Sequence, residues 1–382
     1  MTGFANSPSG SAQPTGPQRP RWTRRTVVPA AVALAFAGTL TLVACGPVSP
    51  LTTGHPVAAP TSVGTQPVDF TTTPDLTAAV QGVVPGIVDI DTTLGLQNGE
   101  AAGTGIVLSS DGTVLTNNHV VEGATQISVT DLGDGQTYQA SVVGYDRTDD
   151  LAIIKLSGAS GLQTAPLGNS DQVAVGDTVV GVGNAGGKGT PTAASGRVTA
   201  LNQAITASDD SSGSSEQLTG LIQVSANIQP GDSGGPLVNS SGQVVGMDTA
   251  ATKGFRFGRG GNQGFAIPIN KAQSIAQNIE NGSGGGNIHL GDSAFLGVSV
   301  SNAQSGQGAL VQGVVNGGPA DTLGLTQNSV ITAVNGTNVT SATDLTNTMD
   351  QFHPGDNVTI HWVDGSGQSQ SQSVTLAKGP VG

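Results

Sequence analysis

Between residues 74 and 281, short runs of β-branched and apolar residues recur between Gly, Asn and Asp turns: Gly105–Leu108, Thr113–Thr116, Tyr138–Val143, Leu151–Leu156, Thr178–Val182, Leu221–Val224, Val244–Met247 and Gly264–Ile269. Such runs predict strands, at a spacing that suits barrels or sandwiches. One helical period stands out. Ala272, Ile275, Ala276 and Ile279 repeat at i, i+3 and i+4, with Asn270 placed to cap, which predicts a helix closing this body. The stretch 282–290 then has the Gly-rich composition of a flexible linker, and residues 291–379 form a second module. Within that module, Ser341 is placed to open a helix with Leu345, Met349 and Phe352 on one face.

The first 44 residues follow a different pattern. Arg19, Arg21, Arg24 and Arg25 precede an uncharged apolar run from Val27 to Ala44, the make-up of an export signal. The pair Arg24-Arg25 loosely matches a twin-arginine signal. The run ends Leu42-Val43-Ala44-Cys45, which resembles the lipobox of bacterial lipoproteins, so Cys45 is the expected site of lipidation. An uncleaved membrane anchor and a plain cleaved signal are the alternatives, since about 18 apolar residues can cross a bilayer. Residues 45–73 are rich in Pro, Thr, Gly and Ala and nearly free of charge, and read as a disordered tether.

Composition narrows this picture. The chain of 382 residues carries a net charge of −13, and four of its thirteen basic residues lie in the leader, so the exported part is strongly acidic and a poor ligand for nucleic acid. With 58 Gly, 10% charged residues and little helical patterning, a mainly β protein of two or three domains is expected. Cys45 is the only cysteine, which leaves no disulfide within the chain. No His, Cys or acid cluster has the spacing of metal ligands, and no cofactor is expected.

The strongest chemical signal is Gln229-Pro230-Gly231-Asp232-Ser233-Gly234-Gly235-Pro236-Leu237. A serine hydroxyl needs a neighbouring base to act as a nucleophile, and the oxyanion it creates needs fixed donors. Gly231 lets the backbone turn so that its N–H and that of Ser233 can converge, while Gly234 and Gly235 are expected to clear space for a substrate chain. The bland alternative is a Gly-rich turn. Five histidines are present; His55 lies in the tether and His289, His353 and His361 lie beyond residue 281, so His119 is the only base inside the body. Three acids follow at Asp146, Asp149 and Asp150. Asp150 stands directly before an apolar strand, where a side chain can be buried behind an imidazole; Asp146 and Asp149 are expected in the solvated turn. The order His, Asp, Ser is that of two-barrel serine proteases.

The segments Gly103–Ile106, Thr116–Val120, Asp150–Lys155, Gly231–Pro236 and Gly264–Pro268 resemble successive landmarks of the HtrA/DegP-type trypsin-like proteases, particularly the PepA-like exported proteases of actinobacteria. The resemblance implies a double β-barrel with His119, Asp150 and Ser233 in the cleft, and an oxyanion hole from Gly231 and Ser233. It further implies a C-terminal PDZ domain. Phe295, Leu296, Gly297 and Val298 resemble its carboxylate-binding loop, which would take C-terminal peptides on a sheet edge. Misfolded or damaged envelope proteins as substrates, and a homotrimer, are also common in that family.

The chain departs from the family at position 232: many members carry Asn there, whereas this chain, like digestive trypsins, carries Asp232. No basic cut site followed by an Ile-Val-Gly-Gly start is present, so activation by cleavage is not expected. Asn227, six residues before Ser233, is expected near the floor of a neutral specificity pocket. Two functions remain open: peptide-bond hydrolysis through Ser233, or a peptide-binding chaperone with little proteolysis.

Overall fold

A computed structural model describes residues 69–70, 74–208, 215–249, 263–303 and 306–382. The export signal, Cys45 and nearly all of the tether lie outside them. The tether's end does not: β1 (Asp69–Phe70) pairs in parallel with Thr192 and Ala193. Helix α1 (Pro74–Val83) buries Leu76, Val80 and Val83 and leads into the first barrel.

That barrel contains β2 (Ile87–Leu94), β3 (Gly99–Val107), β4 (Thr113–Thr116), the short helix α2 (Asn118–Val121), β5 (Gln126–Asp131), β6 (Thr137–Asp146) and β7 (Leu151–Leu156). The strands run in the order β6-β5-β2-β3-β4-β7, and β6 closes on β7. In β7, Leu151, Ala152, Ile153 and Ile154 are all buried, because one face fills the barrel and the other packs toward the rest of the body. The second barrel contains β8 (Thr178–Gly183), β9 (Thr192–Ser208), β10 (Ser215–Val224), β11 (Pro236–Asn239), β12 (Val244–Thr249) and β13 (Gly264–Pro268). Its order is β9-β10-β13-β12-β11-β8, closed by β8 on β9. The expected mainly β double barrel is therefore present.

Helix α3 (Ile269–Glu280) buries Ile269, Ala272, Ile275, Ala276 and Ile279, as its period predicts. Its N-terminus differs from expectation. Asn270 lies inside the first turn, and the Ser170 hydroxyl accepts the Asn270 N–H at 3.1 Å, so the helix is capped from a neighbouring loop rather than by Asn270 itself.

The linker also needs correction at its end. Strand β14 (Ile288–Leu290) pairs antiparallel with Gly144–Asp146 of β6, which fixes the last residues of the stretch 282–290 to the first barrel. The second module follows with β15 (Ala294–Phe295), β16 (Val298–Asn302), β17 (Ala309–Val314), helix α4 (Pro319–Thr322), β18 (Val330–Val334), β19 (Thr337–Asn338), helix α5 (Ala342–Met349), β20 (Asn357–Val363), β21 (Ser369–Thr375) and β22 (Ala377–Lys378). Ser341 caps α5 by accepting the Asp344 N–H at 3.0 Å, and Leu345, Met349 and Phe352 pack on the module's core. Strand β16 ends the sheet order β16-β17-β18-β20-β21, which leaves it an edge strand.

The module is docked on the first barrel through a polar and aromatic junction. Arg147 forks onto Asp350, with Nε at 3.0 Å from one oxygen and Nη2 at 3.1 Å from the other, and its third nitrogen pairs with Glu122. The Tyr145 hydroxyl donates to Asp350 at 2.9 Å. His289 stacks between Tyr145 and His353, with ring centroids 5.0 and 4.8 Å away. Val381 exchanges backbone hydrogen bonds with Gly123 and Ala124, directly after α2.

Candidate active site

His119 is carried by α2, at the end of β4, and Asp150 by the turn that enters β7. The His119 Nδ1 atom lies 3.0 and 2.9 Å from the two oxygens of Asp150, and the His119 backbone N–H donates to the same carboxylate at 3.0 Å. An ionised carboxylate only accepts, so Nδ1 carries the ring hydrogen and Nε2 is the nitrogen left to take a proton. A further donor comes from the second barrel: Thr249 Oγ1 donates to Asp150 Oδ2 at 3.2 Å. Asp150 is 4% exposed, and these donors offset the cost of burying its charge.

Asp150 has φ of +53°, a left-handed conformation that Asp tolerates better than most residues. Asn117 Nδ2 donates to the Asp150 carbonyl at 2.9 Å, and the Asp150 N–H reaches Arg147 O at 3.2 Å, which holds this turn in place. The two other acids behave differently from each other. Asp149 pairs with Lys271 at 2.6 Å and is partly exposed, whereas Asp146 is buried rather than solvated and accepts the Asp149 N–H at 3.0 Å. Burial pushes the Asp146 carboxyl up to about 6, opposed by its backbone hydrogen bonds.

Ser233 lies in the turn between β10 and β11 and is 3% exposed. Gly231 has φ of +99°, and a Cβ there would sit 2.1 Å from Asn184 O, so only glycine fits. The Pro230 carbonyl accepts from Gly186 N–H at 2.8 Å and the Asp232 carbonyl from Gly235 N–H at 2.9 Å. In trans peptides the following N–H groups, those of Gly231 and Ser233, point to the opposite side from these carbonyls. The Gly231 carbonyl is turned inward, accepting from Thr104 Oγ1 at 2.7 Å.

Gly234 and Gly235 have a different purpose from the expected one. A Cβ on Gly234 would lie 2.1 Å from Thr104 O and 2.3 Å from Thr116 Oγ1, and one on Gly235 would lie 2.2 Å from Val182 O. These glycines let the serine turn press against both barrels rather than clearing space for substrate. Thr104 N–H donates to Ser233 O at 2.8 Å, which ties the first barrel to the serine turn. Thr116, also in contact there, is three residues before His119. Asn227 is exposed between buried Ala226 and Ile228.

A trypsin-like peptidase domain model matches residues 103–247, and a PDZ domain model matches residues 294–369. The chain is 32% identical to the Do-like serine protease HtrB of Bacillus subtilis over 353 residues, which is 81% of this chain and 73% of that one. The chain belongs to the HtrA-type serine protease family. It is also 37% identical to the serine protease PepD of Mycobacterium tuberculosis, over 78% of this chain and 64% of the relative. A protein of Chlamydia trachomatis named as a DegP-like periplasmic serine endoprotease is 38% identical over 69% of this chain and 52% of its own length. The chain thus spans between about half and two thirds of several of these relatives. Among solved structures, the HtrA-type protease AlgW with a decapeptide aligns with a TM-score of 0.44 and 28% identity, over 79% of this chain and 98% of that one.

Asp232, the departure from many family members, is buried. Its carboxylate accepts from Gln229 N–H at 2.8 Å and from Thr192 Oγ1 at 3.4 Å, both within the second barrel. In the PDZ domain, Leu296 is buried, Gly297 has φ of +86°, and Phe295 pairs with Ala377. The Leu296 carbonyl accepts from Ala320 N–H at 2.8 Å, which anchors the loop to α4. Thr104 and Asn117 lie inside the landmark segments Gly103–Ile106 and Thr116–Val120 and Thr249 lies outside every such segment, but the part each plays in holding the site together is found only from the fold.

Proposed function

We propose that the protein is a serine endopeptidase in which Ser233 attacks the scissile carbonyl and His119 takes its proton through Nε2. Asp150 holds the ring in that tautomer, and the N–H groups of Gly231 and Ser233 stabilise the oxyanion. The resulting acyl-enzyme is released by water that His119 activates. The observation that carries this reading is the seat of His119 Nδ1 between both oxygens of Asp150 at 2.9 and 3.0 Å, with the serine turn anchored by Thr104 at the same junction of barrels. A pure peptide-binding chaperone has no need of that arrangement.

Ser233→Ala should abolish casein cleavage and fluorophosphonate labelling while leaving the fold intact, because the loss of one oxygen opens no large cavity. Undiminished cleavage by that variant would refute the assignment. Unfolded or damaged envelope proteins are the substrates that fit the family, with C-terminal peptides received on the edge strand β16 beside Phe295–Val298. The specificity pocket is neutral and includes Asn227, and the working assembly is a trimer, which sedimentation of the exported form would test.

An extracytoplasmic site of action fits both the arginine-led apolar leader and the periplasmic naming of the Chlamydia relative. Cys45 is the point of lipid attachment in this reading. Cys45→Ser should move the protein from the membrane to the soluble fraction, or leave its leader uncleaved, without changing turnover. An unchanged membrane fraction and mature N-terminus would favour an uncleaved anchor.

A further inference from the structure

Beneath the serine turn, in the second barrel, lies a carboxyl that the proposed reaction does not use. Asp248 on β12 is 0% exposed, and among the described residues neither of its oxygens has a hydrogen-bond partner within ordinary reach. Its backbone is engaged: Asp248 N–H donates to Gly235 O at 2.7 Å, and its carbonyl accepts from Gly234 N–H at 2.9 Å. The residue after it, Thr249, donates to Asp150. Asp248 therefore stands between the serine turn and the carboxylate behind His119.

Its side chain faces a bare stretch of β8. A Cβ on Gly181 would lie 2.7 Å from Asp248 Oδ2, and a Cβ on Gly183 would lie 2.8 Å from Asp232 Oδ1. Residues two apart in a strand share a face, so the two carboxyls lie along one glycine-lined face. The elements around them supply little to balance charge. Strand β8 offers Gly181 and Gly183, β9 offers the Thr192 hydroxyl, and the serine turn offers the Gln229 N–H. Among the described residues, no Lys, Arg or His forms an ion pair with either acid.

A carboxylate without a close donor is costly to bury, and a second carboxylate along the same face makes it costlier, so one remains protonated. Burial first, and then the charge of Asp232, hold the Asp248 carboxyl well above the usual range, with the Val182 backbone opposing weakly. Asp232, which has donors, is pushed up only to about 6. The division of roles follows from hydrogen bonding: Asp232 takes the charge and Asp248 keeps the proton.

We propose that Asp232 and Asp248 form a pair carrying a single charge, and that Asp248 is thereby a positioning residue for the turn Gln229–Ser233. When Asp248 ionises as pH rises, two carboxylates face each other in a dry interior. Asp248 is fixed by its strand, so Asp232 gives way, releasing the Gln229 N–H and the peptide units that set the Gly231 and Ser233 donors. Turnover then falls on the alkaline side for a reason separate from His119, whose protonation limits the acid side. The same ionisation costs stability, because a carboxyl raised in the folded state stabilises it at low pH and loses that contribution as pH rises.

The kinetic readout rests on the reading of Ser233 as nucleophile; the stability readout does not. Turnover of a short chromogenic peptide and the thermal midpoint are measured from neutral to strongly alkaline pH for the full exported chain, Asp248→Asn and Asp232→Asn. The expected result is an alkaline fall in wild-type turnover that both variants lose, with an unchanged acid limb and a flatter dependence of the midpoint on pH. If Asp248→Asn does not fold, Asp232→Asn alone tests the pair, since it too prevents double charge. A wild-type alkaline limb retained in the folded variants overturns the proposal. Should wild type show neither turnover nor labelling of Ser233, the endopeptidase reading has failed, and the midpoints still decide: equal pH dependence in wild type and variants overturns the pair.

Discussion

The turn from Asp146 to Asp150 faces two regions that are built on different principles. At its C-terminal end Asp150 looks into the cleft, where it is held by the His119 ring and backbone, the Thr249 hydroxyl and Asn117, all from the two barrels. At its N-terminal end Arg147 looks toward the PDZ domain, where it is held by Asp350 and Glu122. Directional, mostly uncharged donors fix the cleft, and it is complete within the protease body. A charge network fixes the junction, and half of it comes from the PDZ domain. The comparison teaches that docking of the PDZ domain and assembly of the catalytic cluster share a backbone segment but not their hydrogen bonds.

The sharpest test of the cleft half is Asp150→Asn. The change preserves shape but offers the His119 Nδ1 position an amide that no longer enforces the required tautomer. Turnover of a short peptide should fall by about 10⁴, with stability nearly unchanged. A loss of less than about tenfold would mean that another group orients His119.

Arg147→Ala tests the other half. It removes the fork to Asp350 and leaves that carboxylate partly buried against Tyr145 and without its cation, at a cost of about 3 kcal/mol in chemical denaturation. Because the backbone bond from Asp150 N–H to Arg147 O survives the substitution, turnover of the short peptide should fall by less than about tenfold. A loss as large as that of Asp150→Asn would break the comparison, because the junction would then be transmitting its state to the cleft.

These two regions were not equally legible in the sequence. The cleft could be read because its chemistry is local: one serine in a glycine-rich turn, one histidine in the body, and an acid directly before the apolar run Leu151–Leu156. The junction could not, since Arg147, His289 and Asp350 are far apart in sequence, and His289 lies on β14, whose three residues follow a stretch with linker composition. Strand β2 escaped notice because Asp89 and Asp91 interrupt its apolar run, although Asp89 is buried and pushed up to about 7 by that burial. Strand β9 is built largely of Ala, Ser, Thr and Gly and carries little hydrophobic signal. Asp146 was misplaced for a related reason: sequence alone gives an acid in a turn no reason to be buried, yet here it anchors the turn by accepting the Asp149 N–H.

The smallest effect is expected at the residue between the two regions. Asp149 adjoins Asp150 in sequence, and from spacing alone either could stand behind His119. Its side chain instead reaches Lys271 on α3, in an ion pair whose members are 25% and 32% exposed. Pairs of that kind contribute at most about 1 kcal/mol, and salt weakens them further. Asp149→Asn keeps the backbone N–H that Asp146 accepts and removes only the charge, so neither the cleft nor the junction loses a partner. Turnover should stay within about twofold of wild type, and the stability loss should shrink as ionic strength rises, whereas the loss at Arg147, largely shielded from solvent, should persist in salt. A loss of turnover at Asp149 rivalling that at Asp150 would show that the wrong acid has been placed behind His119, and the contrast between the two ends of the turn would have to be redrawn around Lys271.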